Sequence, residues 1–262
     1  MARVEGDGVT GLSIEGLSVS YGGEPALLDV DLRVTSGEIT ALVGPSGCGK
    51  SSLLRALNRL SDMIPGCAVT GRALLGDVDV LDPQMDLLSL RRRVGLIFQK
   101  PNPFPLSIRR NLSFPLREHG VRDPDEVAGR IEEALRSVGL WSEVCDRMDR
   151  AALSLSGGQQ QRLCLARALA LRPEVVLLDE PCSALDPMAS GVVEDLIASL
   201  RGRYTVVVVT HNLAQARRIA DSVAMFWVRD GAGRLIEHGP TDQVFGEPEH
   251  ELTRAYVAGE RC

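Results

Sequence analysis

Eight consecutive residues, Gly44-Pro45-Ser46-Gly47-Cys48-Gly49-Lys50-Ser51, have the spacing G-x-x-x-x-G-K-[ST]. Glycines in such a run let successive backbone N–H groups converge on an anion, and a helix that opens at its end adds the positive pole of its dipole. Lys50 then reaches the β- and γ-phosphates of a nucleoside triphosphate, and the Ser51 hydroxyl is a ligand for Mg²⁺. A glycine turn before an ordinary helix is the structural alternative, and it has no need of a lysine. Lys50 and Lys100 are the only lysines among 29 basic residues, so a compact ammonium at position 50 is informative where arginine serves elsewhere.

Further acids and a histidine stand at the ends of apolar runs. Val175-Val176-Leu177-Leu178 leads into Asp179 and Glu180. Asp179 is placed to hold Mg²⁺ in the manner of a strand-end aspartate, and Glu180, pointing elsewhere, to deprotonate the attacking water. The second carboxylate favours hydrolysis over mere nucleotide holding. His211 follows Val206–Val209 through Thr210, in position to contact a γ-phosphate, and Gln99 follows Val94–Phe98, in position to touch Mg²⁺ or the water. Tyr21 offers a ring for stacking on adenine, and packing within a strand is its plainer role.

The surrounding pattern supplies elements for these residues. Leu12, Ile14, Leu17, Val19 and Tyr21, then Val30, Leu32 and Val34, alternate with polar residues and predict antiparallel strands separated by Gly22–Gly23 and Ser36–Gly37. Ala41-Leu42-Val43 is a short strand entering the glycine loop, and Ser51 to Leu60 reads as the helix leaving it. The runs 94–98, 175–178 and 206–209 read as strands buried on both faces, which belong to a parallel sheet covered on two sides. Between the first two, Asp123-Pro124-Asp125-Glu126 supplies an N-cap, a first-turn proline and a capping glutamate for a helix lined by Val127, Ile131, Leu135 and Val138. A helical lobe is expected from about Pro101 to Leu155.

Composition narrows the classes. The chain has 262 residues, 44% hydrophobic and 24% charged, enough for a large packed core and unlike disordered or fibrous chains. A formal net charge of −6 disfavours general nucleic-acid binding. No apolar run approaches the roughly 20 residues of a membrane span. Six cysteines at 48, 67, 145, 164, 182 and 262 form no metal or disulfide pattern, and with no secretory signal at Met1–Thr10 they are read as reduced cytosolic thiols. Arg91-Arg92-Arg93 reads as a solvated helix end rather than a lipid patch.

Leu155-Ser156-Gly157-Gly158-Gln159 opens a helix read as Gln160–Leu171. By physics it is either a serine N-cap or a second amide cluster for an anion, and the residues alone do not separate the two. Taken in order, the phosphate loop, Gln99, Leu155–Gln159, Val175–Glu180, Ser183-Ala184-Leu185-Asp186 and His211 resemble the ATP-binding subunits of ABC transporters over essentially the whole chain. The resemblance implies an α/β fold: a P-loop NTPase core with a mainly parallel sheet, an N-terminal antiparallel β-subdomain and an inserted helical subdomain. It implies one domain over 1–262, with the core at 1–100 and 160–240, the helical part at 101–159 and a short tail at 241–262.

The same resemblance implies ATP and Mg²⁺ as ligands, with hydrolysis to ADP and phosphate. Glu180, His211 and Gln99 would be catalytic, and Ser51, Gln99 and Asp179 would hold the metal. Tyr21, residues Gly44 to Ser51, and Ser52 would bind nucleotide. So would Ser156, Gly157, Gly158, Gln159 and Asp186, across a head-to-tail homodimer with ATP between the copies. Segments 44–50, 99–105, 155–164, 179–187 and 210–212 are most similar to ATPases of bacterial high-affinity phosphate importers. That implies two transmembrane permease subunits, an external phosphate-binding protein acting indirectly, and a peripheral place on the cytoplasmic face of the inner membrane. Lys100 and Pro101–Pro105 are the expected docking surface for the permeases. Ser52 stands where threonine is commoner, and the turn Asp230-Gly231-Ala232-Gly233 reads as slightly long. Another small solute, or a soluble ABC ATPase, is the alternative. A GTPase lacks its Asn-Lys-x-Asp segment here, and a non-hydrolytic module would leave Glu180 without a task.

Overall fold

The computed structural model describes residues 10–259. Nearly all of the stretch read for a secretory signal, and Cys262, lie outside the described residues. The chain begins with antiparallel β1 (Leu12–Tyr21) and β2 (Glu24–Val34). The apolar alternation of β1 changes phase between Ile14 and Leu17, and the register shifts at the same place, around Gly16 at φ +56°. The extra residue is a bulge, so both halves keep their apolar side chains on the core face. β3 (Ile39–Val43) then enters the glycine loop, and α1 (Lys50–Leu57) leaves it. α1 is shorter than the expected helix to Leu60. Asn58 turns its buried side-chain amide to the Val94 carbonyl, and Arg59 takes φ +57°, which ends the helix.

β4 (Cys67–Leu75) and β5 (Val78–Asp79) extend the antiparallel edge. α2 (Leu87–Arg93) runs directly into β6 (Val94–Ile97), one residue shorter than read. Two of its three arginines serve the fold, the Arg91 guanidinium donating to the Arg59 carbonyl and Arg93 pairing with Glu174, while Arg92 is exposed. The insertion follows as α3 (Ile108–Glu118), α4 (Pro124–Ser137), α5 (Trp141–Val144) and the start of α6 (Gly157–Leu169). Asp123 caps α4 by accepting from the Asp125 N–H, but Glu126 does not complete a capping box; it reaches forward to Arg130 at 2.7 Å instead. α6 starts three residues earlier and ends two earlier than read. Ser156 and Gln159 form a reciprocal capping box that draws both glycines into the first turn.

β7 (Val175–Asp179), α7 (Pro187–Ser199), β8 (Thr205–Val209), α8 (Leu213–Ile219), the hairpin of β9 (Ser222–Arg229) and β10 (Ala232–Pro240), then α9 (Thr241–Gly246) and α10 (Glu251–Ala258) complete the described chain. The β9–β10 turn is not long. Arg229 pairs with Ala232, leaving Asp230 and Gly231, at φ +52° and +80°, as a two-residue hairpin loop.

Among the described residues the strands form one sheet in the order β5-β4-β1-β2-β10-β9-β3-β8-β7-β6. β9, β3, β8, β7 and β6 are mutually parallel, as the doubly buried runs predict. The antiparallel part joins this core through a single parallel pairing, Gly233 with Leu27. Alternation along β7 sends Val176 and Leu178 into the cluster shared with the helical insertion, and Val175 and Leu177 into the cluster around α1. No helix of the described residues is long and apolar enough to cross a membrane.

Candidate functional site

The C-terminal ends of β3, β8, β7 and β6 lie side by side in the sheet, and each delivers one or more of the candidate residues. β3 delivers the glycine loop. Gly44 adopts φ +135°, and a Cβ there would lie 2.1 Å from the Phe226 carbonyl oxygen of β9. Gly49 caps α1 at φ +85°, where a Cβ would meet the Ala26 carbonyl oxygen at 2.7 Å. The two glycines therefore satisfy backbone conformation and close approach together. Ser46 and Gly47 face solvent at the crest of the loop, Pro45 is partly covered, and Cys48 is buried beneath. Burial pushes the Cys48 thiol up in pKa, against the pull of Lys50.

The Lys50 side chain is only 6% exposed. An ammonium at that depth needs partners, since burying it unpaired costs several kcal/mol, about the whole margin of a small domain. It donates to the Gly44 and Pro45 carbonyls, both at 2.8 Å, and lies 3.3 Å from Cys48 Sγ. All these acceptors belong to the loop, so the cation is held inside the same ring of peptide groups that would cradle a phosphate.

Ser51 and Asp179 meet directly: the Ser51 hydroxyl donates to Asp179 Oδ1 at 2.8 Å. Asp179 is 9% exposed. Desolvation raises its carboxyl above the usual aspartate range and Glu180 adds to the rise, while the Ser51 hydrogen bond, Arg55 and Lys50 oppose it. Tyr21 is brought to the first turn of α1, where its hydroxyl donates to Ser52 Oγ at 3.1 Å.

Glu180 sits one residue beyond β7 at φ +46°, a left-handed backbone for a non-glycine residue. That conformation costs about 1–2 kcal/mol and recurs at functional sites. The Glu180 N–H donates to the Val209 carbonyl at 3.0 Å, which fixes the turn. One carboxylate oxygen, Oε2, accepts from Gln99 Nε2 at 3.0 Å and lies 3.2 Å from His211 Nδ1. Two residues from neighbouring strand ends thus converge on the carboxylate of a third, and the adjacent Asp179 faces Ser51 instead.

Ser156 and Gln159 hold each other across the first turn of α6, with Gln159 Nε2 also donating to Glu143 at 2.7 Å. Gly158 has its Cβ position 3.0 Å from Ala189 on α7, and Gly157 lies beside Leu185. Asp186 is the N-cap of α7, accepting from the Met188 and Ala189 N–H groups at 3.0 Å. No hydrogen bond or ion pair among the described residues links Ser156, Gly157, Gly158, Gln159 or Asp186 to the Lys50 or Glu180 groups. Hydrogen bonding and ion pairing therefore divide these residues into two sets, one around the phosphate loop and one around the α6–α7 corner.

Oxygen donors suit a hard cation, and Ser51 Oγ and the Asp179 carboxylate converge closely enough to share one. The described residues hold no cluster of three His, Cys, Asp or Glu. Such a cation would take the rest of its shell from phosphate oxygens and water, as Mg²⁺ commonly does. The sequence reading missed Gly233. Its Cβ position lies 2.1 Å from the Cys48 carbonyl oxygen and 3.1 Å from that of Ala26, so β10 passes directly under the loop. A lone glycine in a strand pattern is the signal that marks such an approach.

Three comparisons bear on this arrangement. A family model described as "ABC transporter" matches residues 27–183. A curated relative, "Phosphate import ATP-binding protein PstB 1" of Nitrosococcus oceani, is 59% identical over 250 residues, covering 95% of this chain and 90% of that protein. A solved structure of cbiO1 from Clostridium perfringens, part of the ABC transporter complex cbiONQ, superposes with a TM-score of 0.75 at 28% identity, covering 94% of each chain.

Proposed function

This chain belongs to the ABC transporter family, and from that premise we propose that it is the ATP-hydrolysing subunit of an importer of inorganic phosphate. Binding and hydrolysis of ATP are the chemistry of the family. The choice of phosphate is supported by the 59% identity, over 95% of this chain, to a relative named for phosphate import.

The residues divide the work. Lys50 exchanges the Gly44 and Pro45 carbonyls for phosphate oxygens, while the loop amides from Gly44 to Ser51 surround them. Glu180 accepts a proton from the attacking water, and Gln99 and His211 hold its carboxylate in line. His211, already beside that oxygen, is within reach of a γ-phosphate. Ser51, Asp179 and Gln99 would hold Mg²⁺, which would supply positive charge to the phosphates. Gln99 has an amide for both duties, its nitrogen on Glu180 and its oxygen left for the metal or a water. Tyr21 and Ser52 form the wall for the adenine end.

Ser156, Gly157, Gly158, Gln159 and Asp186 complete the site of a second copy, head to tail. That no hydrogen bond or ion pair among the described residues joins them to Lys50 or Glu180 supports that reading. Two permease subunits then receive the motion, with an external phosphate-binding protein beyond them and this chain peripheral on the cytoplasmic face of the inner membrane. Residues 101–159 act as the helical subdomain against a core of 1–100 and 160–240, with 241–262 as a tail. Lys100 and Pro101–Pro105 are the docking surface: Phe104 and Phe114 are exposed and stacked edge to face, and Arg167 lies 4.3 Å over the Phe104 ring.

The observation that carries the proposal is the Glu180 carboxylate gripped by Gln99 and His211, one residue beyond an aspartate bonded to Ser51. Glu180→Gln tests it. Turnover is expected to fall by ~10²–10⁴-fold, the range for loss of a general base, and ATP with Mg²⁺ to leave a stable dimer by light scattering. Unchanged turnover would reject the assignment. Labelled phosphate uptake, restored in a deletion strain by the wild-type chain and not by Glu180→Gln, tests the transported ion separately.

A further inference from the structure

The two helices that follow the catalytic strand ends share the Glu194 carboxylate at their centre, with Arg218 also reaching Asp195 and the Gly191 carbonyl of α7. α7 starts at its cap Asp186, and α8 starts at its cap Asn212, next to His211. Asn212 is itself held on both sides: its N–H donates to Thr210 Oγ1 at 3.0 Å, and its side chain accepts from the Gln215 N–H at 3.2 Å. Gln215 is 5% exposed, and its Nε2 donates to Oε1 of Glu194 on α7 at 3.2 Å. The other Glu194 oxygen lies 2.7 Å from Arg218, one turn further along α8. Glu194 and Gln215 also line a cavity of about 100 Å³ whose lining includes Glu180 and His211.

Two attachments one turn apart on α8, both ending on a single carboxylate, fix the rotation and the height of α8 against α7. They differ in strength of constraint. Arg218 is 48% exposed, so its ion pair is screened and its side chain is mobile in water. The Gln215 amide is buried, and losing its acceptor would leave a polar group unsatisfied in the interior. The Gln215–Glu194 bond is therefore the specific part of the tie.

We propose that Glu194 is a positioning residue for the hydrolysis, holding α7 and α8 as one body so that His211 and Asp186 are set together. The Asp186 half of this inference rests on the head-to-tail reading above; the His211 half stands on the single chain. Through this tie, the position of the α7 cap and the 3.2 Å approach of His211 to Glu180 change together.

The test is a polarity swap in the full-length protein, reading kcat and KM for ATP, the Kd for ADP without Mg²⁺, and Tm. Gln215→Glu sets two carboxylates against each other and is expected to lower kcat by about tenfold, with the ADP Kd within about twofold because the phosphate loop is not touched. Adding Glu194→Gln rebuilds the hydrogen bond with donor and acceptor exchanged, and is expected to return kcat to within about threefold of wild type. Wild-type kcat in Gln215→Glu would overturn the proposal. So would a swapped pair that regains Tm without regaining kcat, since that describes a tie that only stabilises. If Gln215→Glu does not fold, the swapped pair against Glu194→Gln alone makes the same comparison. All variants are compared at one protein concentration. Wild-type turnover that rises only linearly with concentration would count against the two-copy reading and leave this comparison intact.

Discussion

Gly233→Ala is the most severe small perturbation the structure offers, because it adds a methyl group where two backbones already touch. The new Cβ would lie 2.1 Å from the Cys48 carbonyl oxygen, 2.7 Å from its carbon and 3.1 Å from the Ala26 oxygen, where ordinary contact begins at 3.4 Å. None of these atoms is the end of a flexible side chain. Relief therefore requires the loop at Cys48 to move by about an ångström relative to β10, and misplacement on that scale costs roughly a hundredfold in catalysis. Overpacking also destabilises by about 1–3 kcal/mol, or roughly 2–10 °C in Tm for a chain of this size. Gly231→Ala is the control. Gly231 has φ +80° with nothing within 4 Å of its Cβ position, so only the backbone penalty applies, about 1–2 kcal/mol. The assay pairs fluorescent-nucleotide binding and steady-state ATPase with thermal melting. Gly233→Ala is expected to lose nucleotide affinity and kcat/KM about a hundredfold, and Gly231→Ala to lose only Tm. Equal nucleotide affinity and turnover in Gly233→Ala and wild type would refute the claim that β10 shapes the phosphate loop.

Two further expectations follow from burial. The Asp179 carboxyl is raised by desolvation, so the folded state favours its protonated form more than the unfolded chain does; stability from this group is full below the unfolded value near pH ~3.9 and is lost as pH rises through the folded one. Asp179→Asn keeps an acceptor for Ser51 and removes the buried charge, so its Tm in Mg²⁺-free buffer at pH 7 is expected above wild type while hydrolysis disappears; a lower Tm would contradict the sign. Burial also raises the Cys182 thiol to about 11 and pushes Cys48 and Cys164 up. Iodoacetamide at pH 8, followed by peptide mass spectrometry, is expected to label exposed Cys145 before those three, and prompt labelling of half-buried Cys182 would contradict its raised pKa.

What the sequence disclosed was chiefly what a short window controls. Four to five consecutive apolar residues cannot alternate faces with water, so the runs at 94, 175 and 206 had to be strands covered on two sides. They are, with side chains of β7 sent alternately into the two core clusters. The phosphate loop was readable for the same reason, since its glycines lie within one short window, although the Gly233 contact that supports it from β10 does not. Endings were less readable because their causes lie far away in sequence. α1 stops where Asn58 finds a carbonyl 36 residues further on. The join of the two halves of the sheet rests on Gly233 and Leu27, about two hundred residues apart, which no periodicity contains.

The Leu155–Gln159 segment marks a different boundary. A serine cap and an anion-binding turn were alternative readings of the same residues, and the structure contains the cap in full, with both partners of the capping box satisfied. Yet the cap does not exclude the other role. The box engages the N–H groups of Ser156 and Gln159, while Gly157 and Gly158 lie between them in a turn that α7 presses so closely that a Cβ on Gly158 would stand 3.0 Å from Ala189. Capping needs Ser156 and Gln159; it does not need two glycines, which a helix start tolerates only at an entropic penalty. The close approach of Ala189 accounts for Gly158, whereas Gly157, whose Cβ position meets only Leu185 at an ordinary 3.8 Å, is required by neither the cap nor the packing. The two readings are therefore compatible: the box holds the turn through the N–H groups of Ser156 and Gln159 and makes no use of those of Gly157 and Gly158, which an anion would need.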